Sequence, residues 1–265
     1  MRHRTRKSLG QNFLSDPHIA GRIVSYAGNI KDHNIVEVGP GLGIMTKIIL
    51  NKGVKKLVAI EKDKRLIAVH NRLQDAYPEY ECIFEDILEA DIEDLTSKTP
   101  TKMIANLPYN ISVVLLLKLL GHIRNYEKLI LMFQREVASR LVALPRTKSY
   151  SILSVLVQLL CDVRKIEDLP PEVFTPSPKV FSSVVEITPL PAQRYSVDYK
   201  HLQKVLKLLF HCKRKNIRNV LKLYVKDIDS VLQKCSIPHD IRAESLSVKE
   251  ICTLSNSLQE SGSFR

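Results

Sequence analysis

The sequence predicts an α/β protein: a doubly wound, mostly parallel sheet, followed by a small all-α C-terminal domain. Three observations carry this prediction. Short, continuous apolar runs alternate with helix-patterned segments through the first part of the chain, as expected of strands covered on both faces by crossover helices. A glycine-rich turn, Gly39-Pro40-Gly41-Leu42-Gly43, stands directly after the first of those runs. From Tyr199 onward the apolar spacing is helical throughout.

Asp16 and Pro17 read as the N-cap and first turn of an opening helix carrying Ile19, Ile23 and Val24. The first strand is Ile35-Val36-Glu37-Val38, and the helix after its glycine turn places Ile44, Ile48 and Ile49 on one face. A second strand, Leu57–Ile60, ends at Glu61; a third, Cys82–Phe84, ends near Asp86; a fourth, Met103–Ala105, runs into Asn106-Leu107-Pro108-Tyr109. A helix over 114–120 and a strand over 129–133 continue the alternation. Beyond Ser149 come a helix over 152–160, a Pro-rich loop over 170–178 and a strand over 183–187, with Pro189 and Pro191 marking a linker. Right-handed crossovers put every parallel strand's carboxyl end on one edge. Gly39, Glu61, Asp86 and Asn106 therefore converge on one rim.

The chain has 265 residues and a formal charge of +12. Residues 1–22 hold five Lys/Arg against one Asp, and residues 194–265 hold fourteen against seven. Basic ends around a nearly neutral centre suit a catalytic core flanked by surfaces that meet a polyanion. Five scattered cysteines without a C-x-x-C pair argue against a disulfide framework or a zinc site, and no metal is expected. The basic start is not followed by an apolar stretch of signal-peptide type, and no apolar run reaches membrane-spanning length. A cytoplasmic protein without a membrane partner is the expectation.

The glycine turn allows close backbone approach to a ligand. A dinucleotide fingerprint would need glycine at position 44, where Ile44 stands. A phosphate-free nucleoside cofactor, S-adenosylmethionine, suits Gly39, Gly41 and Gly43 better. Glu61, 22 residues after Gly39, is placed to accept hydrogen bonds from ribose hydroxyls. Asp86 is a candidate acceptor for the adenine amine, although acidic residues at strand ends are common. An exocyclic adenine amine is a poor nucleophile because its lone pair is delocalised. Two acceptors on its hydrogens favour the pyramidal geometry that attack requires. Asn106 supplies one through its side chain, and the Leu107 carbonyl, restricted by Pro108, supplies the other. Tyr109 offers a face for an extruded base. The competing reading of Asn-Leu-Pro-Tyr is an ordinary turn.

Four segments then carry a resemblance. They are Lys7–Leu14, Val36–Gly43, Ala105–Ser112 (Ala-Asn-Leu-Pro-Tyr-Asn-Ile-Ser) and Phe174–Val180 (Phe-Thr-Pro-Ser-Pro-Lys-Val). Together they resemble, collinearly, the ribosomal RNA small-subunit adenine N6,N6-dimethyltransferase family. The resemblance implies a class I, Rossmann-like methyltransferase fold with a mostly parallel seven-stranded sheet. It implies a catalytic domain over 1–190, with 1–15 a basic arm closing over the cofactor, and a helical rRNA-binding domain over 191–265. It also implies dimethylation of two adjacent adenosines near the 3′ end of small-subunit rRNA during ribosome biogenesis, by a monomer acting on the pre-small subunit. Family cofactor contacts fall on Asn12, Leu14, Gly39, Glu61, Asp86 and Asn106, and Phe174 is a candidate to stack on the target base or, equally, a core aromatic. Large-subunit rRNA adenine methylation and a non-catalytic RNA-binding assembly or transcription factor are the alternatives.

From Lys200 to Lys226 there are nine Lys/Arg and no acids. Lys204, Lys207, Lys213, Arg214, Lys215, Arg218 and Lys222 are the expected phosphate contacts. Such charge positions an RNA without choosing the base.

Overall fold

The computed structural model describes residues 10–95, 101–212 and 214–262. Two compact units emerge, one of Met1–Ala138 with Asp162–Pro191, the other of Ser139–Cys161 with Ala192–Arg265. Only one of the three cuts between them falls at the boundary expected near 190.

The first unit holds strands β1 (Phe13–Leu14), β2 (Asn34–Val38), β3 (Lys56–Ile60), β4 (Tyr80–Ile83), β5 (Thr101–Asn106) and β6 (Tyr126–Gln134). It continues with β7 (Cys161–Leu169), β8 (Phe174–Thr175) and β9 (Ser182–Pro189). Its helices are α1 (Pro17–Ser25), α2 (Ile44–Leu50), α3 (Ile67–Ala76), α4 (Ile92–Leu95) and α5 (Ser112–Leu120), and α6 (Arg135–Leu141) follows β6. Asp16 caps α1 as its sequence suggests, accepting from the His18 and Ile19 amides.

Seven strands form one sheet in the order β4-β3-β2-β5-β6-β9-β7. The pairs β4–β3, β3–β2, β2–β5 and β5–β6 are parallel, and β9 returns antiparallel to β6. Buried Val36, Val38, Leu57, Ile60, Met103 and Ile104 explain why the central strands read as unbroken apolar runs. Ile23, Ile49, Leu57, Ile104 and Ile130 belong to one core cluster of the unit. A separate two-stranded ladder pairs β1 with β8.

The second unit contains α7 (Ile152–Leu160), α8 (Tyr199–His211), α9 (Ile217–Leu221), α10 (Ile228–Lys234) and α11 (Val248–Glu260). A single boundary at 190/191 misses α7. The reason is its apolar surface: Leu153, Val155, Leu156, Val157 and Leu159 are all buried, more than one helix face can offer. Helices α8 and α11 pack against it. Ser151 and Ser247 close capping boxes on α7 and α11.

Candidate active site

Strand register builds the site. Val38 pairs with Ile60 on one side and Ala105 on the other. The next residue on each strand is Gly39, Glu61 or Asn106, so these three stand side by side, about 4.8 Å per strand apart. Ile60 also pairs with Ile83, which brings the β4 end and Asp86 to the same edge. A cleft of about 810 Å³ opens there, lined by Gly39, Glu61, Lys62, Asp86, Asn106, Leu107, Pro108 and Tyr109 from the sheet edge and by Gly10–Phe13 from the N-terminal segment.

Glu61 is 6 % exposed. Its Oε2 accepts from the Gly41 amide at 3.1 Å and its Oε1 from the Asp63 amide at 2.7 Å. Burial pushes its pKa up, and the two amides oppose that shift. Each carboxylate oxygen keeps further lone-pair capacity for a ligand hydroxyl. Gly41 is held on its other side too, because His70 Nε2 lies 3.0 Å from the Gly41 carbonyl. A carbonyl only accepts, so His70 carries its proton on Nε2 and Nδ1 accepts from the Tyr80 hydroxyl at 2.7 Å. Burial lowers the His70 pKa, consistent with a neutral ring. Gly41 has φ +57, and a Cβ there would stand 2.6 Å from the Phe13 ring. Only glycine fits beneath the N-terminal segment.

Beneath the loop lies Glu37, fully buried on β2. Thr46 Oγ1 donates to its Oε2 at 2.7 Å, while Oε1 has no partner among the described residues. Burial pushes this carboxyl up to about 8, so it is largely protonated at neutral pH.

The remaining walls are equally fixed. Asn106 Nδ2 donates to the Asn12 carbonyl at 2.8 Å, which leaves its amide oxygen as the acceptor at the cleft. Gln11 Nε2 donates to Asp63 Oδ2 at 2.9 Å, a second tie of the N-terminal segment. The Leu107 side chain is buried, so its backbone is what the residue offers a ligand. The Tyr109 hydroxyl hydrogen-bonds Ser182 Oγ, fixing the ring. Asp86 pairs with Lys62 at 2.5 Å and accepts from the Leu88 amide, and its pKa is lowered chiefly by Lys62. Lys118, on α5, donates to the Ile87, Leu88 and Ala90 carbonyls and so fixes the loop that carries Asp86.

Of the residues singled out from sequence, Asn12, Gly39, Glu61, Asp86, Asn106, Leu107, Pro108 and Tyr109 line this cleft. Gly41 acts through Glu61. Leu14 is 5 % exposed and lines a small neighbouring hollow with Gly39 and Asn106. Of the two readings of Phe174 the core aromatic holds: it is 2 % exposed, paired with Leu14 in the β1–β8 ladder and packed in the core. Its ring is committed to that packing, not presented to a base. Sequence reading missed His70, Lys62 and Lys118, whose roles depend on which backbone carbonyl or carboxylate the fold brings near. Gln11 carried a faint signal as the polar neighbour of Asn12.

In the second unit Lys204, Lys207, Arg214, Lys215 and Lys222 are exposed. The Arg218 side chain is 43 % exposed. Its guanidinium pairs bidentately with Asp229 at 2.6 and 2.7 Å, because α10 brings an acid against the basic stretch. Lys213 and the arm residues 1–9 lie outside the described residues.

The cleft fits S-adenosylmethionine on three counts. Gly39, at φ +69, leaves open the space beside the Asn106 carbonyl and the Pro108 ring, where a Cβ would sit in ordinary contact at 3.8 and 3.9 Å. Glu61 is a buried acceptor beside that space, and Asp86 is a second acceptor farther along the edge. Among the described residues no helix is long and apolar enough to cross a membrane, and no cluster of acids, histidines and cysteines could hold a metal.

The model of the family described as ribosomal RNA adenine dimethylase matches residues 2–260. The chain is 62 % identical over 258 residues to "Ribosomal RNA small subunit methyltransferase A" of Anaplasma phagocytophilum, covering 97 % of this chain and 96 % of that one. It is 47 % identical to the protein of the same name from Ehrlichia canis, covering 96 % and 97 %. Among solved structures it is similar to a dimethyladenosine transferase from Plasmodium falciparum, with TM-score 0.79, 25 % identity and coverage of 95 % and 99 %. The 23S rRNA methyltransferase ErmE shares the fold, with TM-score 0.71 at 21 % identity over 94 % and 100 %. A rim set by strand register and a family match along nearly the whole chain lead to one conclusion: this chain belongs to the ribosomal RNA adenine dimethylase family.

Proposed function

We propose that this protein uses S-adenosylmethionine to dimethylate the N6 amino groups of two adjacent adenosines near the 3′ end of small-subunit rRNA, as a cytoplasmic monomer acting on the assembling subunit. The observation that carries the reading is the shared cleft of Glu61 and Asn106-Leu107-Pro108-Tyr109, an acceptor for a ribose beside acceptors for an amine. The high identity to relatives named for the small subunit supports the substrate. When bound, S-adenosylmethionine supplies a methyl on a positively charged sulfur, already a good leaving group.

The chain's residues do the rest by positioning. Glu61 and Asp86 accept from the cofactor's hydroxyl and amino groups. The Asn106 amide oxygen and the Leu107 carbonyl accept from the target amine, drawing its lone pair out of the ring as positive charge develops on nitrogen. The Tyr109 ring, its hydroxyl held by Ser182, stacks on the extruded base. The released proton passes to solvent, and no strong base is needed. Residues of the first unit perform the chemistry, while Lys204, Lys207, Arg214, Lys215 and Lys222 of the second contact phosphates.

The test supplies labelled S-adenosylmethionine and unmodified small ribosomal subunits. Labelled dimethyladenosine at two neighbouring positions is the expected product. No transfer, or transfer confined to large-subunit RNA, overturns the reading.

A further inference from the structure

Beside Tyr109 the rim carries a flat, cationic surface with no role in the chemistry above. Residue Asn106 on β5 pairs with Met132 on β6, and Gln134, the last residue of β6, pairs with Ser182. Arg135 follows, roughly 10 Å along the chain from Met132 at about 3.3 Å per residue. It therefore stands on the same edge as Pro108 and Tyr109. The Arg135 amide donates to the Phe181 carbonyl at 2.9 Å. Its guanidinium lies 4.9 Å from the centre of the Phe181 ring. Phe181 is 40 % exposed, next to exposed Val180 and Lys179. One residue on, Ser182 holds the Tyr109 hydroxyl.

A large exposed aromatic loses its hydration cost only when something covers it. Here the cover must tolerate a guanidinium plane and lie next to the site of base extrusion. A nucleobase meets both conditions. Its π-face stacks on an arginine plane as readily as on a ring, and its phosphate is drawn by Arg135 and Lys179. Extruding one base also strips its neighbour of a stacking partner, at a cost in free energy. A surface that replaces the lost partner lowers that cost.

We propose that Arg135, backed by Phe181, forms a stacking shelf for the nucleotide adjacent to the target adenosine, holding it while the target occupies the cleft. This rests on the function proposed above and adds a second base subsite to it. The ring orders the guanidinium, the guanidinium stacks on the neighbouring base, and Ser182 couples the shelf to Tyr109. Phe181 and Arg135 are positioning residues; neither reaches the reacting atoms.

The experiment compares kcat/KM on reconstituted small ribosomal subunits for the wild-type protein and for Phe181→Ala, Phe181→Tyr and Arg135→Lys. Dimethylation of one chosen adenosine is read by mass spectrometry, and cofactor affinity and thermal midpoint are measured alongside. Phe181→Ala should lower kcat/KM about tenfold through KM for the particle, and Arg135→Lys about fivefold. Phe181→Tyr should stay within about twofold, as should the cofactor affinity of all three. On particles whose adjacent nucleotide is abasic, the wild-type protein should lose about tenfold and Phe181→Ala nothing further. If Phe181→Ala matches an active wild-type protein on intact particles, the shelf is refuted and the enzyme stands. An equal loss on abasic particles also refutes it, because the surface then meets a ribosomal protein or another RNA element. A wild-type protein that transfers no methyl to intact particles removes the shelf together with the function it serves.

Discussion

Replacing Glu61 by glutamine changes one oxygen into an NH₂ and leaves the side chain's shape intact. Its two oxygens accept from two different backbone amides, at 3.1 Å from Gly41 and 2.7 Å from Asp63. Whichever way the amide is turned, its NH₂ confronts an N–H. One backbone donor then stays buried without an acceptor, which costs about 1–3 kcal/mol, partly offset because the neutral amide escapes the burial cost that raises the Glu61 pKa. A net loss of about 1–2 kcal/mol corresponds to a thermal midpoint lower by about 2–4 °C for a chain of this size. The effect on the cofactor is larger. One charge-assisted bond to a ribose hydroxyl is lost, about 1.5–3 kcal/mol, which weakens S-adenosylmethionine binding roughly 10- to 150-fold. Calorimetric titration of the cofactor and filter binding of an rRNA fragment read the two properties separately, and RNA affinity should not change. A folded Glu61→Gln protein that binds the cofactor as tightly as the wild type would show that this carboxylate is not the ribose acceptor.

Glu37 makes stability depend on pH. Its carboxyl is raised from 4.5 to about 8 in the folded protein, so its contribution is fully present below pH 4.5 and is lost as pH rises through about 8. Glu37→Gln imitates the protonated form; its thermal midpoint should exceed that of the wild type near pH 8, with the advantage shrinking toward pH 5, as followed by scanning fluorimetry. Identical pH profiles for the two proteins would contradict a protonated Glu37. Phe174→Ala should cost about 3–5 kcal/mol in urea unfolding, the loss expected for a core aromatic. A loss below about 1 kcal/mol, with impaired turnover, would return Phe174 to the base-stacking role suggested by its sequence context.

The rim was legible because parallel strands announce themselves twice, by continuous apolar runs and by the polar or glycine residue at which each run stops. Gly39, Glu61 and Asn106 could be aligned without coordinates, since equal strand ends are what close parallel pairing produces. Phe174 was legible only as a choice between two roles. A phenylalanine in a Pro-rich loop reads equally as a stacking face or a core anchor until Leu14, far away in sequence, is seen to pair with it. The partner of Arg218 was hidden for the same kind of reason: its helical position said outward, and only the placement of α10 supplies Asp229. The affiliation of residues 139–161 was hidden because an all-apolar helix such as α7 shows how much cover it needs without showing which helices provide it. His70 lies furthest from sequence inference. A histidine in a mid-chain helix carries no mark of the carbonyl it will hold.

Leu14 and its ladder partner Phe174 are 160 positions apart. Together with the Asn106–Asn12 and Gln11–Asp63 bonds, this ladder fixes the cleft wall formed by Gly10–Phe13. On a ribosome, residues near position 14 emerge long before their mate has been synthesised. Until translation passes Thr175 that wall has no ladder to hold it, and closing so long a loop is slow. Nascent chains halted short of that point should hold the methyl donor poorly even with the glycine turn, Glu61 and Asn106 already made. Capacity to load the donor thus arrives late, close to the moment at which the first unit is finished.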